Sequence, residues 1–75
     1  MTQLRNFGVY KVPGVEHRLF SILTENGTYL LYDSEIRGLP PQFALQSNGL
    51  ITYWFKGIPI CTVEDLIDTG ETMVL

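Results

Sequence analysis

Two apolar-rich stretches of the chain are each interrupted once by Asn-Gly: RLFSILTENGTYLLYD (18–33) and QFALQSNGLITYWF (42–55). A period of two places successive side chains on opposite faces of a strand. Asn-Gly between such runs is the strongest short-range hairpin signal, because both residues tolerate the positive φ of a type I′ turn. The pattern predicts two hairpins, turning at Asn26-Gly27 and Asn48-Gly49. A shift of 22 residues superimposes the turns, and also places Leu23 on Leu45 and Tyr32 on Trp54. The same hairpin device is used twice.

The remaining segments extend this series. FGVYKV reads as a strand ending at Pro13-Gly14, and a further reversal at Lys56-Gly57 leads into IPICTV, where Pro59 cannot donate a ladder hydrogen bond and so predicts an edge strand. SEIRGLPP is a connector, with a turn at Gly38 and no helix before Pro40-Pro41. PPQFALQSNG also fits a short helix opening at Pro41, and the Asn-Gly turn favours strand. Thr62 and Asp65 resemble a capping box and Gly70 a stop signal, so EDLIDT is expected as a helix of one to two turns. The expected fold is a mainly β single domain over residues 1–75. It is a small antiparallel meander or half-open barrel of about five to six short strands with a short C-terminal helix.

Two-residue turns would fix the register. In the first hairpin they set Leu23 opposite Leu30 and Ser21 opposite Tyr32. In the second they set Phe43 opposite Trp54 and Leu45 opposite Thr52. Trp54 then belongs to the main core, with Phe43, Leu45, Leu50, Cys61 and Val63 on its face. The reverse face carries Ile51, Tyr53, Phe55, Ile58 and Ile60, so both faces are apolar. An antiparallel sheet with one wet face would alternate apolar and polar instead. The helix and the tail MVL can cover only part of the second face, and the rest calls for a partner.

Bulk properties sharpen that need. At 75 residues a core supplies only ~3–5 kcal/mol of net stability without a staple. One cysteine, Cys61, and one histidine, His17, exclude an internal disulfide and give no structural zinc motif. No apolar leader or membrane-length run is present, and the expected location is cytoplasmic. The charge of −3 is uneven. All five cations precede Gly57, whereas Glu64, Asp65, Asp68 and Glu71 follow it; this acidic end reads as a solvated helix face.

No pattern carries catalysis. Glu16-His17-Arg18 lacks a nucleophile motif beside it and reads as a surface turn. Cys61, on a core-facing strand, reads as an inert thiol. Asp65 and Asp68 on one helical face lack the further oxygen ligands that a cation site needs. No glycine-rich phosphate loop, cofactor motif or metal motif occurs. The expectation is a non-enzymatic protein-interaction module, an adaptor, regulator or assembly subunit of the size common in bacteria and phages. It would bury the face bearing Tyr29, Ile51, Tyr53, Phe55 and Ile58 against a partner protein or as a homo-oligomer. The alternative is a small barrel that binds single-stranded nucleic acid, with Trp54 or Tyr53 stacking on bases and Arg18, Arg37 and Lys56 on phosphates. Net negative charge argues against it.

Overall fold

The computed structural model describes residues 4–35 and 40–74. Seven strands form one antiparallel sheet: β1 (Gly8–Lys11), β2 (Leu19–Leu23), β3 (Tyr29–Asp33), β4 (Phe43–Leu45), β5 (Leu50–Tyr53), β6 (Pro59–Thr62) and β7 (Ile67–Thr72). Their spatial order is β6-β5-β4-β3-β2-β1-β7. Six strands run as a meander and the seventh returns to the far edge beside β1, which curls the sheet into a half-open barrel. Segment 43–45 is strand, as the Asn-Gly turn favours, and Pro59 opens an edge strand. The turn expected at Gly38 lies outside the described residues.

The C-terminal helix is replaced. Its cap forms: the Asp65 carboxylate accepts hydrogen bonds from the Thr62 N–H (3.0 Å) and hydroxyl (3.1 Å). A single 3₁₀ turn, Val63–Asp65, follows, and the chain then enters β7, where Lys11 pairs with Ile67 and Tyr10 with Asp68. A six-residue helix gains few hydrogen bonds for the cost of its first turn. Pairing with β1 satisfies more backbone groups and suits the β-branched Ile67, Thr69 and Thr72. The acids stay exposed, as expected, but on a turn and a strand instead of a helix, and two of them are paired with arginines. Asp68 receives a two-pronged contact from Arg5 (2.6 and 3.1 Å), Arg5 also donates to the Glu71 carbonyl (3.0 Å), and Arg18 pairs with the Glu71 carboxylate. Through that hydrogen bond Arg5 holds the Asp68 carboxyl below the usual carboxylate range, with the Gly70 N–H adding to the effect.

Both hairpins slip by one residue from the expected register. Leu23 pairs with Tyr29 and Ser21 with Leu31; Phe43 pairs with Tyr53 and Leu45 with Ile51. The cause lies in the turns. The Thr24 and Gln46 N–H groups donate to the Thr28 and Leu50 carbonyls, and the Gly27 and Gly49 N–H groups donate back to the Thr24 and Gln46 carbonyls. Only the glycines have positive φ, +85° and +88°. Each loop is thus three residues long, a type I turn closed by a left-handed glycine, rather than the two-residue type I′ form. The single extra residue moves alternate side chains to the other face.

The resulting inner face carries Tyr10, Leu19, Leu31, Phe43 and Ile51, each almost fully buried, with Leu4, Val12, Val63 and Leu66 closing around them. Tyr10 is held tightly: its hydroxyl accepts the Arg5 N–H (2.7 Å), and a Cβ added at Gly8 would come within 2.9 Å of that oxygen. The outer face is also apolar, as expected from strands that carry apolar residues on both sides. Phe20 stacks on Tyr32 (centroids 5.6 Å apart), and Val9, Leu30 and Ala44 continue the strip. No helix among the described residues is long and apolar enough to cross a membrane.

Candidate interaction surface

The chain leaves β5 at Tyr53 and re-enters the sheet at Pro59. The Tyr53 N–H donates to the Ile58 carbonyl (2.9 Å), the Gly57 N–H donates to the Tyr53 carbonyl (2.8 Å), and Gly57 takes φ +70°. The Trp54 N–H donates to the Gln42 carbonyl (2.9 Å), tying the loop to the segment before β4. This backbone is well satisfied, so the loop is a built feature. Its side chains nevertheless face water. Phe55 is 92% exposed, Ile58 53%, Trp54 49% and Tyr53 47%.

Tyr53 is the pivot. Its ring packs at 5.1 Å from Phe43 on the rim of the inner face and leaves its outer half free. Beyond it, Pro41, Gln42, Tyr53, Phe55, Lys56 and Ile58 line an open cleft of about 440 Å³. Trp54 points the other way, toward Leu30, Ala44 and Gln46 on the outer face. The expected core position of Trp54 opposite Phe43 is therefore corrected by the register: Tyr53 holds that place.

The surface expected from the sequence is brought together only in part. Tyr53, Phe55 and Ile58 share the cleft. Ile51 is fully buried in the core and Tyr29 half-buried against it, because the one-residue slip turns both inward. Pro41 joins the cleft without having been expected there, beside Gln42, whose position on the reverse face the sequence pattern gives. The adjacency of 41–42 to 53–54 follows from a β4–β5 pairing with Phe43 opposite Tyr53, which the three-residue turn alone would have given.

The structure also assembles a cluster that the sequence reading treated as a turn. His17 lies between two carboxylates, its Nδ1 3.0 Å from Asp33 and its Nε2 3.5 Å from Glu35. The Asp33 side chain is only 7% exposed. Its hydrogen bond to His17, reinforced by the charge of Glu35, raises the imidazole pKa above its ordinary value. Nδ1 and Nε2 face different acids, which suits a protonated ring that donates on both sides. The donor atoms of the three residues lie within 4.8 Å of one another, and they would converge on a cation only if His17 gave up one contact. The cluster ties the segment leading into β2 to the end of β3.

Cys61 sits half-buried on β6 against the core; burial, with the Asp65 charge adding to it, pushes its thiol pKa up and keeps it protonated. Asp65 and Asp68 act separately, one on Thr62 and one on Arg5. Of the cations assigned to phosphates in the nucleic-acid reading, Arg18 is paired with Glu71, Lys56 lines the cleft, and Arg37 lies outside the described residues.

Comparison with protein-family models, curated proteins and solved structures gave no match.

Proposed function

We propose that the chain is a non-enzymatic protein-interaction module that docks a partner on the β5–β6 loop. The observation that carries this reading is the exposure of four large apolar side chains, Tyr53, Trp54, Phe55 and Ile58, on a segment held by three backbone hydrogen bonds from the Tyr53, Trp54 and Gly57 N–H groups. Aromatic residues clustered on a rigid frame are the usual anchors of protein interfaces. The glycine at 57 supports the loop's fixed shape, so little ordering cost falls on binding.

Single-stranded nucleic-acid binding has the exposed Trp54 in its favour. The charge of −3 and the pairing of Arg18 with Glu71 leave little to neutralise phosphates. A photo-crosslinking amino acid placed at Phe55, in cells that make the protein, separates the readings. The module reading expects a discrete protein adduct at Phe55 and none at Asn48, on a turn away from the cleft. Adducts to nucleic acid, or equal labelling at both positions, would overturn it.

A further inference from the structure

We propose that the cleft beside Lys56 takes an extended peptide segment carrying a carboxylate next to an apolar side chain. This rests on the reading of the loop as a docking surface and adds the chemistry of the occupant. Three groups in the cleft define it. Tyr53, Phe55, Ile58 and Pro41 form apolar walls with two aromatic rings, a lining that suits proline and aliphatic side chains.

Lys56 supplies the charge. Among the described cations, Arg5 is held by Asp68 and Arg18 by Glu71, and Lys11 lies on β1, outside the cleft. Lys56 has no ion-pair partner among the described residues, and no acid lines its cleft. A chain of charge −3 repels a polyanion as a whole. A single carboxylate set beside Lys56 meets a cation that no acid in the cleft competes for, in an attraction that salt would screen.

Gln42 selects a peptide over a simple amphiphilic acid. Its backbone is fully used, the N–H donating to the Leu31 carbonyl (2.8 Å) and the carbonyl accepting from Trp54 (2.9 Å). What it offers the cleft is the carboxamide, with donor and acceptor side by side, the complement of a peptide group. A helix satisfies its own backbone internally and would leave that amide idle. An extended segment presents the matching groups.

The test is selection of random short displayed peptides on the immobilised full chain, repeated on Lys56→Glu and Phe55→Ser, with each variant's fold verified by its two-dimensional NMR spectrum. Wild type should enrich peptides in which Asp or Glu adjoins Pro, Leu or an aromatic residue. An enriched peptide should shift the amide signals of Tyr53, Phe55 and Ile58. Lys56→Glu should weaken it about tenfold and enrich Lys or Arg at the acidic position instead, and Phe55→Ser should enrich nothing. Enrichment unaffected by Lys56→Glu, or of basic peptides by wild type, overturns the occupant while the docking surface stands. No enrichment also overturns it; the crosslink at Phe55 then decides the surface separately, including a crosslink to a second copy of the chain.

Discussion

The two Asn-Gly hairpins share one turn and differ in what they bury. Leu31 in the first is fully buried, whereas its counterpart 22 positions on, Tyr53, is half exposed. Tyr32 stacks on Phe20, while Trp54 in the equivalent place has no ring partner among the described residues. Asp33 is buried against His17, and its counterpart Phe55 is 92% exposed. The turns are alike, so local sequence is not the cause. The first hairpin lies mid-sheet, flanked by β1 and β4. The second is flanked too, by β3 and β6, but its strands have three and four residues against five and five, and the chain leaves the sheet after Tyr53. How far the paired strands run from the turn decides whether the same pattern builds core or surface: the first ladder reaches Leu19–Asp33, and the second stops at Phe43–Tyr53.

The largest expected effect is on the buried side of this comparison. Leu31→Ala should cost about 2–5 kcal/mol, comparable to the whole stability of so small a core, and leave the chain largely unfolded. Tyr53→Ala, at the equivalent place, should cost only about 1 kcal/mol, since half the ring is already in water. Urea denaturation of the two variants gives the ratio. Equal losses would erase the distinction between the hairpins.

The turns themselves should behave alike. Gly27→Ala and Gly49→Ala each force a Cβ into the left-handed region and should cost about 1–2 kcal/mol. Neither site is crowded: the nearest atom to the added Cβ at Gly49 is 3.9 Å away, and nothing lies within 4 Å at Gly27. A loss confined to one hairpin would mean that the two turns differ after all.

A smaller effect reports the clamp at the open end of the first hairpin, for which the second has Phe55 in place of Asp33. The His17 pKa is raised by folding, so its contribution is fully present below about pH 6.5, the unfolded value. It is lost as pH rises through the higher folded value. Thermal stability should therefore fall across that interval in the native chain, and His17→Gln should flatten the profile. A native profile already flat there would remove the clamp.

How much of this was legible follows from the same comparison. Apolar runs and Asn-Gly located both hairpins, and Pro59 marked an edge. Asn-Gly serves two turn types, however, and the sequence pattern did not tell which. Reading three-residue loops would have set Leu19 opposite Asp33, and with it His17 opposite Glu35, and Phe43 opposite Tyr53. The His17–Asp33 pair and the exposed Trp54 both follow from that one residue. β7 was hidden for another reason: its capping signal is genuine, and only the distant β1 makes extended backbone the better choice after Leu66.

Smallest in energy is the exposed side. Phe55→Ser should change stability by no more than about 0.5 kcal/mol, because the ring gives up almost no buried area. Its effect should appear in binding instead. The most direct measurement uses Trp54, the one tryptophan in the chain, as reporter of the surface. Collisional quenching of its fluorescence by acrylamide in the native protein should approach that in urea. Native emission that is shielded from the quencher at every protein concentration would place Trp54 in the core and contradict the register on which the docking surface depends.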